Sequence, residues 1–548
     1  MPGLLDRLAA RIGLLHAERV YQRFAASVRD LPGAQQHALG RLLAGCADGD
    51  YGRQFGLAGV KTVDDLRKAA PIATYEDLRP WVDRAAAGDT QALFSRRQRI
   101  LMFATTSGTT DKPKLIPVTP AFVADYRRGW NTFGLKLLRD HPEAILRPLL
   151  QCSGRLDESA APSGAPIGAI TGLLARTQKR IVRRFYAAPA DVAYLPDPTD
   201  RYYALMRYGA ERDVAFAITA NPATLVRMAQ VADSESERLI RDVRDGALSV
   251  TLPDSPSRRA ALRARLRPNP ARAAALERVR RKHGALRPRD YWRLSFLACW
   301  TGGSMRFHLE RLADWYGSVP VRDIGLLASE GRVSLPLEDG VTSGVLDPTA
   351  GVFEFLPAAS AANAGAETRL AHELELGRDY VVVLSNPSGL IRYRLDDVVR
   401  VTGFVGHTPL LEFLHRAGNV SSIVGEKLTE SQLVSAVEIV RRRRRLPSFD
   451  FVAAPSFANP PFYQVSCSAE LSSEVAEEVD RALSAQNAEY QSRRNTLRLS
   501  RLRIRHVRPE EWIDLDRRLS ARVAVAEQYK RPCLFSQPGA DDEAFGLR

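Results

Sequence analysis

The chain reads as an α/β protein: a large N-terminal unit in which β-sheets are flanked by helices, followed by a smaller α+β lid, with the division at residues 1–420 and 421–548. Three observations predict this. Strand-like apolar runs alternate with helical periodicity for several hundred residues from Ile100 onward. At 548 residues and 60.6 kDa the chain can bury a large core and form more than one domain. Its 45% hydrophobic and 26% charged residues are those of an ordinary folded protein.

In chain order, residues 1 to about 95 read as helices: Leu4, Leu5, Leu8, Ile12 and Leu15 share one helical stripe, and Ala70-Pro71-Ile72 marks a break. The apolar run 100–103 reads as a strand feeding a polar loop, and residues 214–219 as a buried strand. Asn221-Pro222 opens a helix as a cap followed by proline at the first helical position. The arginine-rich stretch 257–289 spaces Ala261, Leu262, Leu266, Ala274 and Leu276 as a charged surface helix pair would. A strand at 380–384 is followed by a turn at 385–389. Residues 418–427 form a junction, after which come a helix near 431–444, a strand at 462–466, a helix near 473–492 and a strand at 502–507.

A net charge of +15, a pI near 9.8 and the run Arg441 to Arg445 invite a nucleic-acid reading. Only nine of the 78 basic residues are lysine, however, and the arginines are spread along the whole chain, as a compositional bias would spread them. The five-arginine run closes the helical pattern Leu433, Val434, Ala436, Val437, Ile439, Val440, so it reads as the solvated end of an amphipathic helix. The expected partners are therefore small molecules and not nucleic acid; a basic nucleic-acid-binding protein, with salt-sensitive affinity, is the rival reading. No apolar run approaches bilayer length, and the first seven residues have no basic segment leading into a long apolar stretch, so neither a membrane nor export is expected and the location reads as cytoplasmic. Five scattered cysteines without C-x-x-C spacing suggest neither a disulfide framework nor a zinc site. Without G-x-S-x-G or H-E-x-x-H, a hydrolase is disfavoured. The chain is expected to act as a monomer.

The most informative stretch is Ala104-Thr105-Thr106-Ser107-Gly108-Thr109-Thr110-Asp111-Lys112-Pro113-Lys114. Hydroxyl donors, a glycine that lets backbone approach closely and an ammonium group suit a polyphosphate. The spacing is not that of a Walker A loop, and Pro113 and Pro117 forbid an immediate helix. Taken alone, the stretch reads equally as a Ser/Thr-rich surface turn.

Three further segments join it: Trp300-Thr301-Gly302-Gly303-Ser304, Ala328-Ser329-Glu330-Gly331, and the run 389–404 through Arg394, Leu395, Asp396 and Asp397. Their order and spacing resemble the GH3 family of acyl acid amido synthetases, a branch of the adenylate-forming enzymes. The likeness extends from Tyr51-Gly52-Arg53 and Pro71-Ile72-Ala73-Thr74-Tyr75 to Gln528-Tyr529-Lys530.

The resemblance implies ATP and Mg²⁺ as cofactors, and a carboxylic acid and an amine, expected to be an amino acid, as substrates. It makes Thr106, Ser107, Gly108, Thr109, Thr110 and Lys114 the triphosphate cradle, Glu330 the Mg²⁺ ligand beside Ser329, and Asp397 the acceptor of the ribose hydroxyls. Thr301, Gly302 and Gly303 would run beside the adenine, Arg416 and Lys427 would flank the junction to contact nucleotide, and Lys530 would swing onto the α-phosphate. The carboxylate would first form an acyl-adenylate and pyrophosphate; the amine would then displace AMP, with the lid rotating between steps. An acyl-adenylate-forming ligase using coenzyme A or another thiol is the nearest alternative. Three positions depart from the family pattern: Asp111 and Asp396 stand where glycine is usual, each adding negative charge near a polyanion, and Leu326 stands where many relatives have a tyrosine that stacks on adenine.

Overall fold

The computed structural model describes residues 4–106, 114–361, 363, 365–416, 420–424, 426–521 and 531–547. The expected α/β architecture is observed: helices surround three substantial sheets in the first 416 residues, and a mixed three-stranded sheet with its own helices follows.

The four-stranded parallel sheet orders strands Leu149–Gln151, Phe216–Ile218, Phe296–Cys299 and Val321–Asp323. The strand expected at 214–219 is its second member, and Asn221 caps the following helix Pro222–Ser234 by accepting from the Ala223 amide at 2.9 Å. Such sheets carry ligands beyond the carboxyl ends of their strands, and the Thr301 segment leaves one of those ends. A second four-stranded sheet contains the hairpin Met102–Thr106 with Lys114–Val118. The third sheet has seven antiparallel strands with Leu390–Val405 at its centre, between Asp379–Asn386 and Thr408–Arg416.

A separate hydrophobic core around Leu433, Val437, Tyr463, Val479 and Leu483 holds the three-stranded sheet Phe451–Ser456, Phe462–Cys467 and Arg503–His506. The helix expected near 473–492 is two, Ser473–Gln486 and Ala488–Asn495, because Asn487 leaves helical geometry at φ −135°. Its side chain accepts from the Tyr490 amide and donates to the Glu426 carbonyl, each at 2.9 Å. The five-arginine run does close an amphipathic helix, Glu430–Arg443, with Arg442 to Arg445 exposed, but its first member departs from the solvated reading. Arg441 is buried, gripping Glu438 on its own helix and Glu310 of helix Leu309–Tyr316, while Arg444 pairs with Glu478. Apolar residues read correctly as helical in Leu4–Arg29 do not all face the core: Leu8, Ile12 and Leu15 are exposed.

The break at Ala70-Pro71-Ile72 does structural work. Arg392 and Glu354 form a buried bidentate pair at 2.9 and 2.8 Å, and the remaining Arg392 donor atom bonds the Arg67 and Ala70 carbonyls. Ala73 then bridges to the long central strand, its amide donating to the Arg392 carbonyl and its carbonyl accepting from the Arg394 amide, both at 2.9 Å. Tyr75 opens helix Tyr75–Ala86, and its hydroxyl bonds both the amide and the carbonyl of Leu115. Residues 67–75 therefore staple the hairpin to the central strand. Removing one charge from a buried pair leaves the other uncompensated, so Glu354→Gln should lower unfolding stability by about 3–5 kcal/mol, measurable by denaturant titration. A loss within 0.5 kcal/mol, the size of an ordinary surface substitution, would contradict this account of the staple.

Candidate functional site

The hairpin ends with Thr106 paired opposite Lys114, so the hydroxyl-rich connection is closed by this pair. Ser107, Gly108, Thr109, Thr110 and Asp111 lie outside the described residues, as does Lys530. Lys114 Nζ lies 3.5 Å from the Tyr393 hydroxyl and 5.7 Å from the centre of the Tyr75 ring. The Tyr393 hydroxyl in turn donates to Glu330 Oε1 at 3.4 Å.

Glu330 occupies the tight turn between Leu327–Ala328 and Gly331–Arg332 and is 1% exposed. Two bonds hold the turn: Asn386 Nδ2 donates to the Glu330 carbonyl at 2.5 Å, and Ser329 Oγ donates to the Thr105 carbonyl at 3.0 Å. The Ser329 hydroxyl thus anchors the turn to the strand that feeds the loop. Burial raises the Glu330 carboxyl above its usual range, against the opposing pull of Arg416 and Lys114, and Asp397 adds to the rise. The Tyr393 hydroxyl is likewise pushed up, by burial and by the charge of Glu330.

Asp397 and Arg416 face each other across neighbouring strands, with Arg416 Nε 3.3 Å from Asp397 Oδ1. The Asp397 charge raises the Arg416 guanidinium further above its ordinary value. Arg394 and Arg400, on the same strand as Asp397, are engaged elsewhere: Arg394 lies 2.6 Å from Asp396, and Arg400 grips Asp379. Asp396 sits at φ +61°, which accounts for glycine being favoured there, and Arg394 offsets its charge.

Thr301 is buried, and its amide and hydroxyl both donate to Asp323, at 2.6 and 2.7 Å. A Cβ on Gly302 would lie 3.3 Å from the Phe413 carbonyl oxygen, and one on Gly303, at φ +57°, 3.1 Å from that of Leu414. The glycines let this segment lean on the strand that ends at Arg416. Leu326 is half-buried, its amide bonded to Ser334 Oγ. Lys427 is exposed at φ +45°, and among the described residues its side chain touches none of this cluster.

The structure thus gathers Lys114, Ser329, Glu330, Asp397 and Arg416. It adds two tyrosines whose role the motif reading missed, each inside a stretch already singled out: Tyr75 at the end of 71–75, and Tyr393 in the continuously buried run 390–393 of the central strand. Two cations can face a polyanion, and the two carboxylates, which cancel their charge, can take hydroxyl donors or a further cation.

Three family models match the chain: the GH3 family N-terminal domain over residues 20–321, the central domain over 344–416 and the C-terminal domain over 431–539. The chain is 27% identical over 553 residues to a jasmonoyl–L-amino acid synthetase of Oryza sativa subsp. japonica, covering 94% of each. It is 28% identical over 485 residues to another from Nicotiana attenuata, covering 84% of this chain and 83% of that one. A solved acyl acid amido synthetase in complex with 2,4-DB shares the fold, with a TM-score of 0.84 at 21% identity over 97% of this chain and 96% of that one.

Two stability predictions follow from the local geometry. Because the folded state disfavours ionised Glu330, its stability falls as pH rises from the ordinary carboxylate range through the raised value. Glu330→Gln should therefore melt higher than the parent at neutral pH, with the gap closing in acid; a lower melting temperature at pH 7 would contradict this. Asp396→Gly should keep or raise stability, within about 1 kcal/mol, whereas Asp396→Val should lose more than that on thermal melting.

Proposed function

The chain belongs to the GH3 family, and from that premise we propose that it is an ATP-dependent acid–amine ligase that joins a carboxylic acid to an amine, an amino acid, through an acyl-adenylate. The observation that carries the reading is the set of buried Tyr393, Glu330 and Asp397 with half-buried Lys114 and Arg416, assembled next to the strand pair whose connection holds the hydroxyls.

In the first half-reaction the substrate carboxylate attacks the α-phosphate and pyrophosphate leaves. Lys114 and the loop hydroxyls neutralise the triphosphate, Arg416 adds a cation at the far side of Glu330, and Asp397 takes the ribose hydroxyls. The residues fit one hard cation: a buried carboxylate that burial disfavours as an anion gains from a divalent ion beside it. Among the described residues no group of three or more acidic, histidine or cysteine side chains forms a cage, so Glu330 would hold Mg²⁺ with phosphate and water oxygens completing the shell. When bound, the ion supplies charge neutralisation of the triphosphate.

The unit beyond residue 420 carries Lys530 to the α-phosphate and then withdraws it to admit the amine. Among the described residues two ion pairs, Glu310–Arg441 and Arg311–Asp450, join that unit to the larger one, and such a rotation would have to break or carry them. Mass spectrometry of purified protein with MgATP, a pool of carboxylic acids and a pool of amino acids should show acid-dependent AMP together with a new amide mass. Acid-dependent AMP without an amide would favour a thiol acceptor. Glu330→Ala and Asp397→Ala should each cut AMP formation by roughly 100-fold or more; full AMP formation in both would sink the proposal.

A further inference from the structure

Two residues beyond Glu330, Arg332 is 2% exposed and only partly bonded. Its Nη1 donates to the carbonyls of Ile324 and Ser334, at 3.0 and 3.2 Å. Nε and Nη2 are buried and have no hydrogen-bond partner among the described residues. These two nitrogens form the edge of a guanidinium that grips a carboxylate with two parallel bonds. This chain uses that edge repeatedly: Arg79 on Glu76, Arg392 on Glu354, Arg400 on Asp379 and Arg531 on Asp516, all at 2.7–2.9 Å. Arg332 is more deeply buried than any of them, yet the same edge meets no acid.

The nearest acids are engaged elsewhere. Asp323 accepts from Thr301 and from the Gly325 amide, and Asp347 accepts from the amide and hydroxyl of Thr349. Burial lowers the Arg332 guanidinium while the charges of Asp347 and Asp323 act against that fall; arginine stays charged in proteins, so the site carries a buried cation whose Nε/Nη2 edge has no hydrogen-bonded acid among the described residues. The guanidinium carbon lies 4.8 Å from the centre of the half-buried Trp130 ring, and Gly129 admits the side chain so closely that a Cβ there would fall 2.6 Å from Arg332 Cδ and 2.7 Å from Nε. Tyr126, on the same helix Pro120–Asp140, lies within electrostatic reach of both Arg332 and Glu330, which places this fork beside the reaction site.

We propose that the Nε/Nη2 edge of Arg332 binds a second carboxylate on the acyl substrate, so that the acid this chain activates is a dicarboxylic acid; the inference rests on the ligase reading above. A carboxylate held by two parallel bonds has both oxygens engaged and cannot attack phosphorus. The group at Arg332 is therefore the non-reacting one, and the reacting carboxylate lies toward Glu330 and Lys114.

The test compares acid-dependent pyrophosphate release for matched pairs, hexanoate with adipate and benzoate with isophthalate, in the parent, Arg332→Met and Arg332→Lys. Methionine keeps length without polarity; lysine keeps charge without the fork. The parent should favour the diacid of at least one pair by roughly tenfold or more in kcat/KM, and both variants should lose that preference mainly through KM. Equal or better turnover of the monoacids by the parent, or an unchanged preference in both variants, would overturn the proposal. Melting shifts with adipate or isophthalate alone separate it from the ligase reading. If no acid releases pyrophosphate, the ligase reading fails; a diacid shift in the parent that Arg332→Met lacks would still support the fork, and no shift in the parent would remove it as well.

Discussion

The buried pair of Arg392 and Glu354 is the constraint on which the site's geometry depends. Each partner is almost wholly withdrawn from water, so each needs its full set of hydrogen bonds. Glu354 obtains its set from Arg392 and the Thr368 hydroxyl, and Arg392 completes its own on carbonyls of the helical N-terminal segment. That requirement fixes the segment against the central sheet even though some 320 residues separate them in sequence. Arg392 itself sits at φ +45°, a conformation that persists only where surrounding contacts over-determine it. The contact between Lys114 and Tyr393 lies beside this staple, on the strand that Arg392 and the Ala73 bridge hold in place.

Around the staple the chain concentrates charge that it could more cheaply have left in water. Glu330 is buried in a turn where ionisation is disfavoured, and Lys114 and Arg416 only partly offset that. Arg332, two residues on, leaves two donor atoms unbonded in the interior. Other ion-pair members also bury an unbonded atom, among them Arg41 Nε, Arg322 Nη1 and Glu478 Oε2, but each is paired through its remaining atoms, whereas Arg332 pairs with no acid among the described residues; with Glu330 two residues away, that marks these two positions as prepared for groups that arrive from outside. Unfavourable local electrostatics of this kind are characteristic of sites that bind or react.

Much of the fold was legible in the sequence because periodicity reports burial directly. The strand around Phe216, the Asn221 cap and the helix of the small unit follow from apolar spacing and capping chemistry alone. The failures came where a long-range contact overrode a local pattern: Asn487 breaks a continuous helical signal to satisfy the Glu426 carbonyl, and Arg441 leaves a basic run to pair with Glu310. The site divides in the same way. Glu330, Asp397 and Lys114 stand in motifs whose chemistry can be named, whereas Tyr393 and Arg332 acquire meaning only from what they touch or fail to touch. The negative charge of Asp396, a concern on sequence grounds, is answered by Arg394 two residues away.

The central claim is that the cluster around Glu330 activates a carboxylate at the α-phosphate of ATP before any acceptor takes part. Acid-dependent exchange of labelled pyrophosphate into ATP, measured with no amine or thiol present, tests it most directly. The account predicts exchange that requires a carboxylic acid and Mg²⁺ and disappears in Glu330→Gln. Exchange that never occurs with any acid, or occurs only once an acceptor is added, would contradict it.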